Sequence, residues 1–222
     1  MSIETIRHSL SHVLATAVLE MFPEAKLGIG PAIKNGFYYD FDLPQTLIPK
    51  DLPLLEEKMR KIINCGAKFE RTDLDNNSAI KQFNNQEYKQ ELIKDLSDDN
   101  ITIYKSGNFT DLCKGPHVES TADLKSTGWK LDKIAGAYWK GSEKNKMLQR
   151  IYGLAFENKK ELNDFLKTRV EAENRDHRKI GEELDLFSFP PEGQGFVFWH
   201  HKGGCIFLKL LEYWREIHRK ND

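Results

Sequence analysis

Several features that mark secreted and membrane proteins are scarce in this sequence. It has three cysteines among 222 residues, and an odd number at wide spacing does not indicate a disulfide framework. No apolar run approaches the roughly 20 residues of a membrane-spanning helix. No basic and then apolar signal segment opens the chain, because Glu4 interrupts it. These absences predict a protein of the reducing cytoplasm.

A strong charge of either sign is also missing. The formal net charge is −1 at pH 7, and 39% of the residues are hydrophobic and 30% are charged. This is the composition of a soluble globular protein. It excludes a nucleic-acid binder that relies on the charge of the whole molecule, so any such binding must use a local patch.

One local patch of positive charge lies between Lys125 and Arg150. Seven basic residues oppose Asp132 and Glu143, which leaves 7 − 2 = +5. The basic residues are Lys125, Lys130, Lys133, Lys140, Lys144, Lys146 and Arg150, and Trp129, Tyr138 and Trp139 lie between them. Basic and aromatic residues together suit an RNA-binding surface. The alternative is a hairpin with a solvated basic face and with its aromatic residues in the core, and the sequence leaves both open.

Periodic patterns predict both helices and strands. Helices are predicted over about 2–22, 51–64, 78–96, 158–184 and 205–220. Strands are predicted at FYYDF, ITIYKSG, WKLDKI, GAYW and MLQRIYGLAF. Asn35-Gly36 predicts a hairpin that leads into FYYDF. The chain is therefore expected to be α+β over roughly 1–156, followed by a charged linker helix and a terminal piece too short to fold alone.

Two pairs of potential ligands share a four-residue spacing. A helix would place His8 and His12 on one face, about 6 Å apart. Cys113 and His117 enclose a Gly-Pro pair that excludes a regular helix, so they meet only if the loop turns back. Three imidazoles and a thiol could hold zinc, or could transfer protons and bind a substrate without metal. Either pair alone is weak, since histidines often merely flank an apolar stripe.

Two further polar residues are candidates for the same site. Asp111 lies two residues before Cys113 and could orient a histidine or hold a substrate ammonium group. Its alternative is an exposed acid in a turn. Lys89, in QEYKQEL, could be a catalytic or phosphate-facing lysine, and its alternative is a solvated lysine on a helix.

Five stretches resemble the bacterial threonyl-tRNA synthetase family. They are RHSLSHVLA, LGIGPAIKNGFYYDF, FTDLCKGPHV, GAYWKGSEKNKMLQRIYG and DHRKIGEELDLFSF followed by GQGFVFWHHKGG. They occur in the family's order, cover nearly all of the chain, and include the very specific GAYWKGSEKNKMLQRIYG. The two four-residue pairs would also fit alanyl-tRNA editing proteins, which share the fold. GFYYDF and the GFVFWHHKGG stretch favour the threonyl branch.

The resemblance implies an α+β fold of the threonyl/alanyl-tRNA synthetase editing type, with antiparallel sheets and packed helices. It implies an editing domain at 1–156, with a second additional domain at about 100–156, a linker helix at 157–184, and a truncated start of the class II aminoacylation domain at 185–222. The other family domains are expected outside this chain, which should therefore not charge tRNA. The fragment is expected to be a monomer of the cytoplasm, and its parent a homodimer that uses ATP, Mg and a catalytic-domain Zn.

The editing activity that the resemblance implies is hydrolysis of seryl-tRNA(Thr). Serine lacks one methyl of threonine, and a site built for threonine discriminates that methyl by only ~1–3 kcal/mol, so a second hydrolytic site is needed. By resemblance, His8 carries a proton on the water or ribose side, and Lys89 positions water or stabilises charge. His12 completes the expected catalytic set and lines the pocket.

The remaining expected site residues bind the substrate. Asp111 would take the ammonium group, Cys113 and His117 would fix the seryl group, and Tyr39 in FYYDF would close the pocket near the adenosine. By resemblance, editing needs no metal or cofactor, although His8, His12, Cys113 and His117 form an alternative zinc set. Two other functions stay open: a module that grips the tRNA acceptor end without hydrolysis, and a freestanding zinc-dependent trans-editing deacylase.

Overall fold

The computed structural model describes residues 1–96 and 100–221, which form two compact units, Met1–Asn163 and Asp164–Asp222. The helices are α1 (Ile3–Met21), α2 (Leu52–Cys65), α3 (Asn76–Gln82), α4 (Glu87–Asp95), α5 (Lys159–Asn174), α6 (His177–Glu183) and α7 (His201–Asn221). The strands are β1 (Lys26–Leu27), β2 (Ala32–Ile33), β3 (Gly36–Asp42), β4 (Phe69–Asp75), β5 (Asn100–Ser106), β6 (Phe109–Leu112), β7 (Gly128–Tyr138), β8 (Met147–Phe156), β9 (Phe187–Ser188) and β10 (Phe198–Trp199).

The strands of the first unit form two antiparallel sheets. The larger sheet has the order β1-β3-β8-β7, and β2 also pairs with β3. The smaller sheet has the order β4-β5-β6. In the second unit β9 pairs with β10. The predicted α+β fold, with antiparallel sheets and packed helices, is confirmed.

Helix α1 is the element around which the first unit packs. Ser2 caps it by accepting a hydrogen bond from the N–H of Thr5, and the helix ends just before Pro23, as predicted. Its apolar residues recur at helical spacing and are buried: Ile6, Leu10, Val13, Leu14, Ala17 and Val18. They pack with α2 and with the buried face of β3. Because α1 is held on this side, its histidines are fixed relative to the sheets.

The predicted hairpin at Asn35-Gly36 is confirmed. Ile33 of β2 lies opposite Gly36 of β3, so the two turn residues are Lys34 and Asn35. A Cβ on Gly36 would collide with the carbonyl of Gly153 on the neighbouring strand β8, so only glycine allows this close approach.

The predicted helix over 78–96 is wrong, because the segment forms two helices. α3 ends at Gln82, with Phe83 as its C-cap, and α4 begins at Glu87. The side chain of Gln90 donates hydrogen bonds to the carbonyls of Phe83 and Asn84, at 3.2 and 3.1 Å, and so satisfies groups that a continuous helix would have paired internally. The consequence is that Lys89 belongs to a separate short helix.

The predicted charged helix over 158–184 is also interrupted. Asp176 accepts a hydrogen bond from the N–H of Arg178 at 2.9 Å and caps α6, which separates it from α5. The last helix begins at His201 rather than at residue 205. Within it, Gly203 packs directly against the carbonyl of Leu186 and leaves no space for a Cβ.

The domain limits given from the sequence stay predictions, and Asp222 lies outside the described residues. Within the ranges 1–96 and 100–221, no helix combines the length and the apolar character that crossing a bilayer requires.

Candidate active site

The two four-residue pairs meet in one cluster, here called the His/Cys cluster (His8, His12, Cys113 and His117). The Sγ of Cys113 lies 3.1 Å from Nε2 of His8 and 3.2 Å from Nε2 of His117. One donor atom from each of the four residues lies within 4.8 Å of the other three. Helix α1 supplies two members and the segment after β6 supplies the other two. The loop between Cys113 and His117 therefore turns back on itself and brings the two side chains together.

The turn between Cys113 and His117 depends on Gly115. This residue has φ 71°, in the left-handed region that favours glycine, and a Cβ there would collide with the ring of Tyr104. The rings of Tyr104 and His117 meet edge to face, with centroids 4.7 Å apart, and the ring of Phe69 stacks on that of His117 at 4.7 Å and 8°. His117 is therefore held by its surroundings before any ligand is considered.

The His/Cys cluster is electrically neutral at pH 7. Burial lowers the pKa of His12 well below the usual range, and lowers the pKa of His117 to about 2. Burial also lowers the pKa of His8, which is only half-buried, and raises the pKa of the Cys113 thiol to about 12. The imidazoles thus have free lone pairs, and the thiol keeps its hydrogen.

A second set of polar side chains, here called the buried network, consists of Lys89, Asp111 and Tyr39. Lys89 Nζ lies 2.5 Å from Asp111 Oδ1 and donates to the Tyr39 hydroxyl at 3.1 Å. The Tyr39 hydroxyl donates to Asp111 Oδ2 at 2.5 Å. Lys89 and Asp111 are each 2% exposed and Tyr39 is 0% exposed. The solvated-lysine and exposed-acid alternatives are therefore both wrong.

His12 connects the network with the cluster. Its Nε2 lies 3.6 Å from Asp111 Oδ2. Both oxygens of Asp111 already have other partners, since Oδ1 also accepts the N–H of Leu112 at 2.8 Å. The distance from His12 to Asp111 is longer than a hydrogen bond, so the carboxylate approaches this ring without bonding to it. The role of Asp111 toward a substrate ammonium group stays a prediction.

A cavity of about 570 Å³ opens beside the cluster. His8 is the cluster member that lines it, next to Pro116, and Arg7 and Lys34 contribute positive charge against Glu4. A half-buried neutral imidazole at such a wall can take a proton from a water molecule or pass one to a bound substrate.

The His/Cys cluster could also hold a metal ion. Its nitrogen and sulfur donors are those that zinc prefers, and among the described residues His12 Nδ1 has no hydrogen-bond partner although it is buried. Lys89 does not oppose a cation as a free charge, because Asp111 is in contact with it. The remaining donors have hydrogen-bond partners without a metal, so the geometry accommodates both states.

The basic segment of the sequence forms β7, β8 and their connection. Several of its charges are paired inside the protein: Lys140 with Glu91 and Asp95, Lys146 with Asp42, and Arg150 with Asp40. Trp139 is buried, and its indole N–H donates to Glu91 at 2.9 Å. This part of the segment follows the hairpin alternative rather than that of an RNA-binding surface.

Sequence reasoning missed one residue of the site, Ser9. Its side chain is fully buried, and its Oγ lies 3.1 Å from Nδ1 of His117 and accepts the N–H of Val118 at 3.0 Å. In the sequence, Ser9 is marked only as a small polar residue directly after His8. Its contact with the segment after β6 is evident only in the structure.

Comparisons with known proteins point to one family. The family model for the threonyl and alanyl tRNA synthetase second additional domain matches residues 101–152. Threonine–tRNA ligases of Dehalococcoides mccartyi (strain BAV1), Clostridioides difficile (strain 630) and Clostridium kluyveri (strain NBRC 12016) are 51, 51 and 53% identical over 98% of this chain. These matches fit an N-terminal segment of a bacterial threonyl-tRNA synthetase. They confirm the family that the motifs predict, although the chain spans only 37, 34 and 34% of these relatives.

Proposed function

We propose that this chain hydrolyses the ester bond of mischarged seryl-tRNA(Thr), as the editing part of a protein that ligates threonine to tRNA(Thr) with ATP. The observation that carries the proposal is the neutral His/Cys cluster, whose member His8 lines a cavity of about 570 Å³. The second additional domain matched at residues 101–152 contributes Asp111, Cys113 and His117 to this site.

The reaction needs one proton carrier. His8 takes a proton from water as the water oxygen attacks the ester carbon, and a tetrahedral oxyanion forms. Its collapse breaks the bond to the ribose oxygen, which receives the proton from His8, and serine and tRNA leave. Burial lowers the pKa of His8, so the imidazole is in the neutral form that a general base requires. Such catalysis contributes typically ~10²–10⁴-fold.

The buried network lies next to His12 and supports this chemistry by its charges. The charge of Lys89 disfavours protonation of His12, whereas at His8 the opposite effect of the Asp111 carboxylate is larger. We propose that Lys89, held by Asp111, positions the attacking water or stabilises the developing oxyanion. We propose that Tyr39 holds Asp111 through its hydroxyl, and that Asp111, which lies 3.6 Å from His12 Nε2, takes the substrate ammonium group. Cys113 and His117 remain the proposed contacts of the seryl group.

The proposed partner is the acceptor end of tRNA(Thr). Arg7 and Lys34 lie at the cavity that His8 lines and suit a phosphate backbone. Editing in this proposal needs no cofactor, whereas ATP, Mg and the catalytic-domain Zn belong to the ligation proposed for the whole protein. As before, we expect the fragment to be a monomer and the whole protein a homodimer.

A second candidate is zinc-dependent deacylation. The converging donors favour it, as does His12 Nδ1, which lacks a hydrogen-bond partner within the described ranges 1–96 and 100–221. Zinc bound by the His/Cys cluster would lower the pKa of a coordinated water. Elemental analysis of the purified protein decides between the two candidates. Zinc at one equivalent that is lost in Cys113→Ser would support the second, whereas less than a tenth of an equivalent, with activity unchanged by a chelator, supports the first.

The residue assignments are tested by deacylation of seryl-tRNA(Thr). We expect His8→Ala to slow the reaction about 10²–10⁴-fold, and Lys89→Ala to slow it as well. The matched control is His177→Ala, which changes an exposed histidine of α6. Circular dichroism checks that each variant is folded. Unchanged rates in both His8→Ala and Lys89→Ala would overturn the assignments.

A further inference from the structure

Ser9 begins a chain of hydrogen bonds that passes through the His/Cys cluster. The backbone N–H of Val118 donates to Ser9 Oγ at 3.0 Å, and Ser9 Oγ lies 3.1 Å from Nδ1 of His117. Ser9 is 0% exposed, so water does not compete for its hydroxyl. These two contacts link helix α1, which carries His8 and His12, to the segment after β6, which carries Cys113 and His117.

The first contact fixes the direction of the chain. A backbone N–H can only donate, so Ser9 Oγ accepts from Val118 and must place its own hydrogen elsewhere. Among the described residues, His117 Nδ1 is the other hydrogen-bond partner of Ser9 Oγ. A buried hydroxyl hydrogen without an acceptor costs about 1–3 kcal/mol. His117 Nδ1 therefore accepts, and the proton of this neutral imidazole lies on Nε2.

The direction continues through the thiol. Nε2–H of His117 lies 3.2 Å from Sγ of Cys113, and the N–H of Gly115 also donates to Sγ at 3.2 Å. With two donors facing the sulfur, the thiol hydrogen is left for its third neighbour, Nε2 of His8 at 3.1 Å. The thiol hydrogen then occupies the lone pair of His8 Nε2, so the proton of this neutral imidazole lies on Nδ1.

We propose that Ser9 is a positioning residue that sets the proton order from His117 through Cys113, so that Nε2 of His8 carries no proton of its own and accepts the thiol hydrogen. Its value for catalysis rests on the proposed hydrolysis, in which the attacking water replaces the thiol as the donor to His8 Nε2. The proton order itself is a property of the resting protein and can be measured without substrate.

The first experiment uses protein labelled with ¹⁵N in its histidines. Long-range ¹H–¹⁵N correlation spectra distinguish the two neutral tautomers of each imidazole. We expect Nε2–H on His117 and Nδ1–H on His8 in the unaltered chain, and a mixture of tautomers on His117 in Ser9→Ala. A proton on His117 Nδ1 in the unaltered chain, or an unchanged tautomer in Ser9→Ala, would overturn the proposal.

The matched control is Ser11→Ala. Ser11 is on the same helix and also 0% exposed, but among the described residues its hydroxyl hydrogen-bonds to backbone carbonyls alone, those of His8 at 2.7 Å and of Gly30 at 2.6 Å. We expect this variant to keep the tautomers of the unaltered chain, which separates proton order from a general loosening of α1. The same tautomer change in Ser11→Ala as in Ser9→Ala would also count against the proposal.

The second experiment measures deacylation of seryl-tRNA(Thr). We expect Ser9→Ala to lower kcat about tenfold with KM unchanged, and Ser9→Thr, which keeps the hydroxyl, to recover most of the loss. An unchanged kcat in a folded Ser9→Ala protein, while its His117 tautomer shifts, would overturn the positioning role. A chain without any deacylase activity would overturn the proposed function alone, and the tautomer measurement would still test the proton order.

Discussion

The His/Cys cluster and the buried network lie side by side, but they carry opposite kinds of chemistry. Burial keeps the imidazoles of the cluster in their neutral form and keeps the hydrogen on the Cys113 thiol. The network contains an ammonium and a carboxylate 2.5 Å apart, both almost without contact with solvent. His12 touches both, with Nε2 3.6 Å from Asp111.

The cluster is suited to proton transfer, and the buried network is suited to electrostatic support. Neutral groups that donate and accept can pass a proton without leaving a charge buried. A buried charge, in contrast, is tolerated only with its partner. The molecule therefore places its charges behind the cluster, and leaves a neutral imidazole, His8, at the cavity wall.

Breaking the charged pair should have the largest effect on stability. We expect Lys89→Met to lower the free energy of unfolding by about 3–5 kcal/mol, because it leaves the Asp111 carboxylate buried without its cation. Urea denaturation at pH 7 measures this change. The matched control is Lys61→Met, which removes an exposed lysine 2.7 Å from Glu57 and should leave the free energy of unfolding almost unchanged, because solvent screens such a surface pair. Equal losses in the two variants would contradict the distinction between the network and an ordinary surface pair.

Acid should destabilise the cluster by a smaller amount. Because the folded pKa values of His12 and His117 lie below the unfolded value of about 6.5, the unfolded chain binds more protons below that pH. Stability should therefore fall between pH 7 and pH 5, by about 2 kcal/mol for each of the two histidines at pH 5. These histidines should add no pH dependence above pH 7.5.

Urea denaturation as a function of pH checks this effect, and His117→Asn provides the comparison. That variant should lose about 2 kcal/mol less than the unaltered chain between pH 7 and pH 5. A stability that is flat over this range, with both histidines present, would show that they are not held neutral in the folded state.

The neutral thiol should produce the smallest of these effects, in its reactivity. Cys65 and Cys205 are exposed, whereas Cys113 is 8% exposed and burial raises its pKa to about 12. We expect iodoacetamide at pH 8 to modify Cys113 at least about tenfold more slowly than the other two, since the thiolate is the reactive species. Mass spectrometry of timed samples measures the three rates, and rapid modification of Cys113 would argue for a thiolate in the cluster.

The sequence predicted half of the cluster by local geometry and the rest only by resemblance. His8 and His12 follow from helical spacing, because α1 has a regular apolar stripe and a clear cap. The approach of Cys113 to His117 depends on a turn whose conformation no periodic pattern encodes. The family match supplied that part, together with the editing-type fold.

The surroundings of Lys89 could not be predicted from local sequence. Its neighbours in QEYKQEL are mostly polar, which suggests a solvated helix. The break between α3 and α4 was missed because no residue of this polar stretch marks the end of a helix. Its partners, Asp111 and Tyr39, come from β6 and β3. Burial of a charged residue by distant parts of the chain is a tertiary effect, and it is absent from any short pattern.

The most direct test compares the deacylation of seryl-tRNA(Thr) and threonyl-tRNA(Thr) by this chain. A pocket that excludes the extra methyl should favour the seryl substrate by about 10–200-fold, and His8→Ala should abolish most of the faster reaction. Binding of the tRNA acceptor end without hydrolysis of either ester, or equal rates for the two esters, would contradict the account.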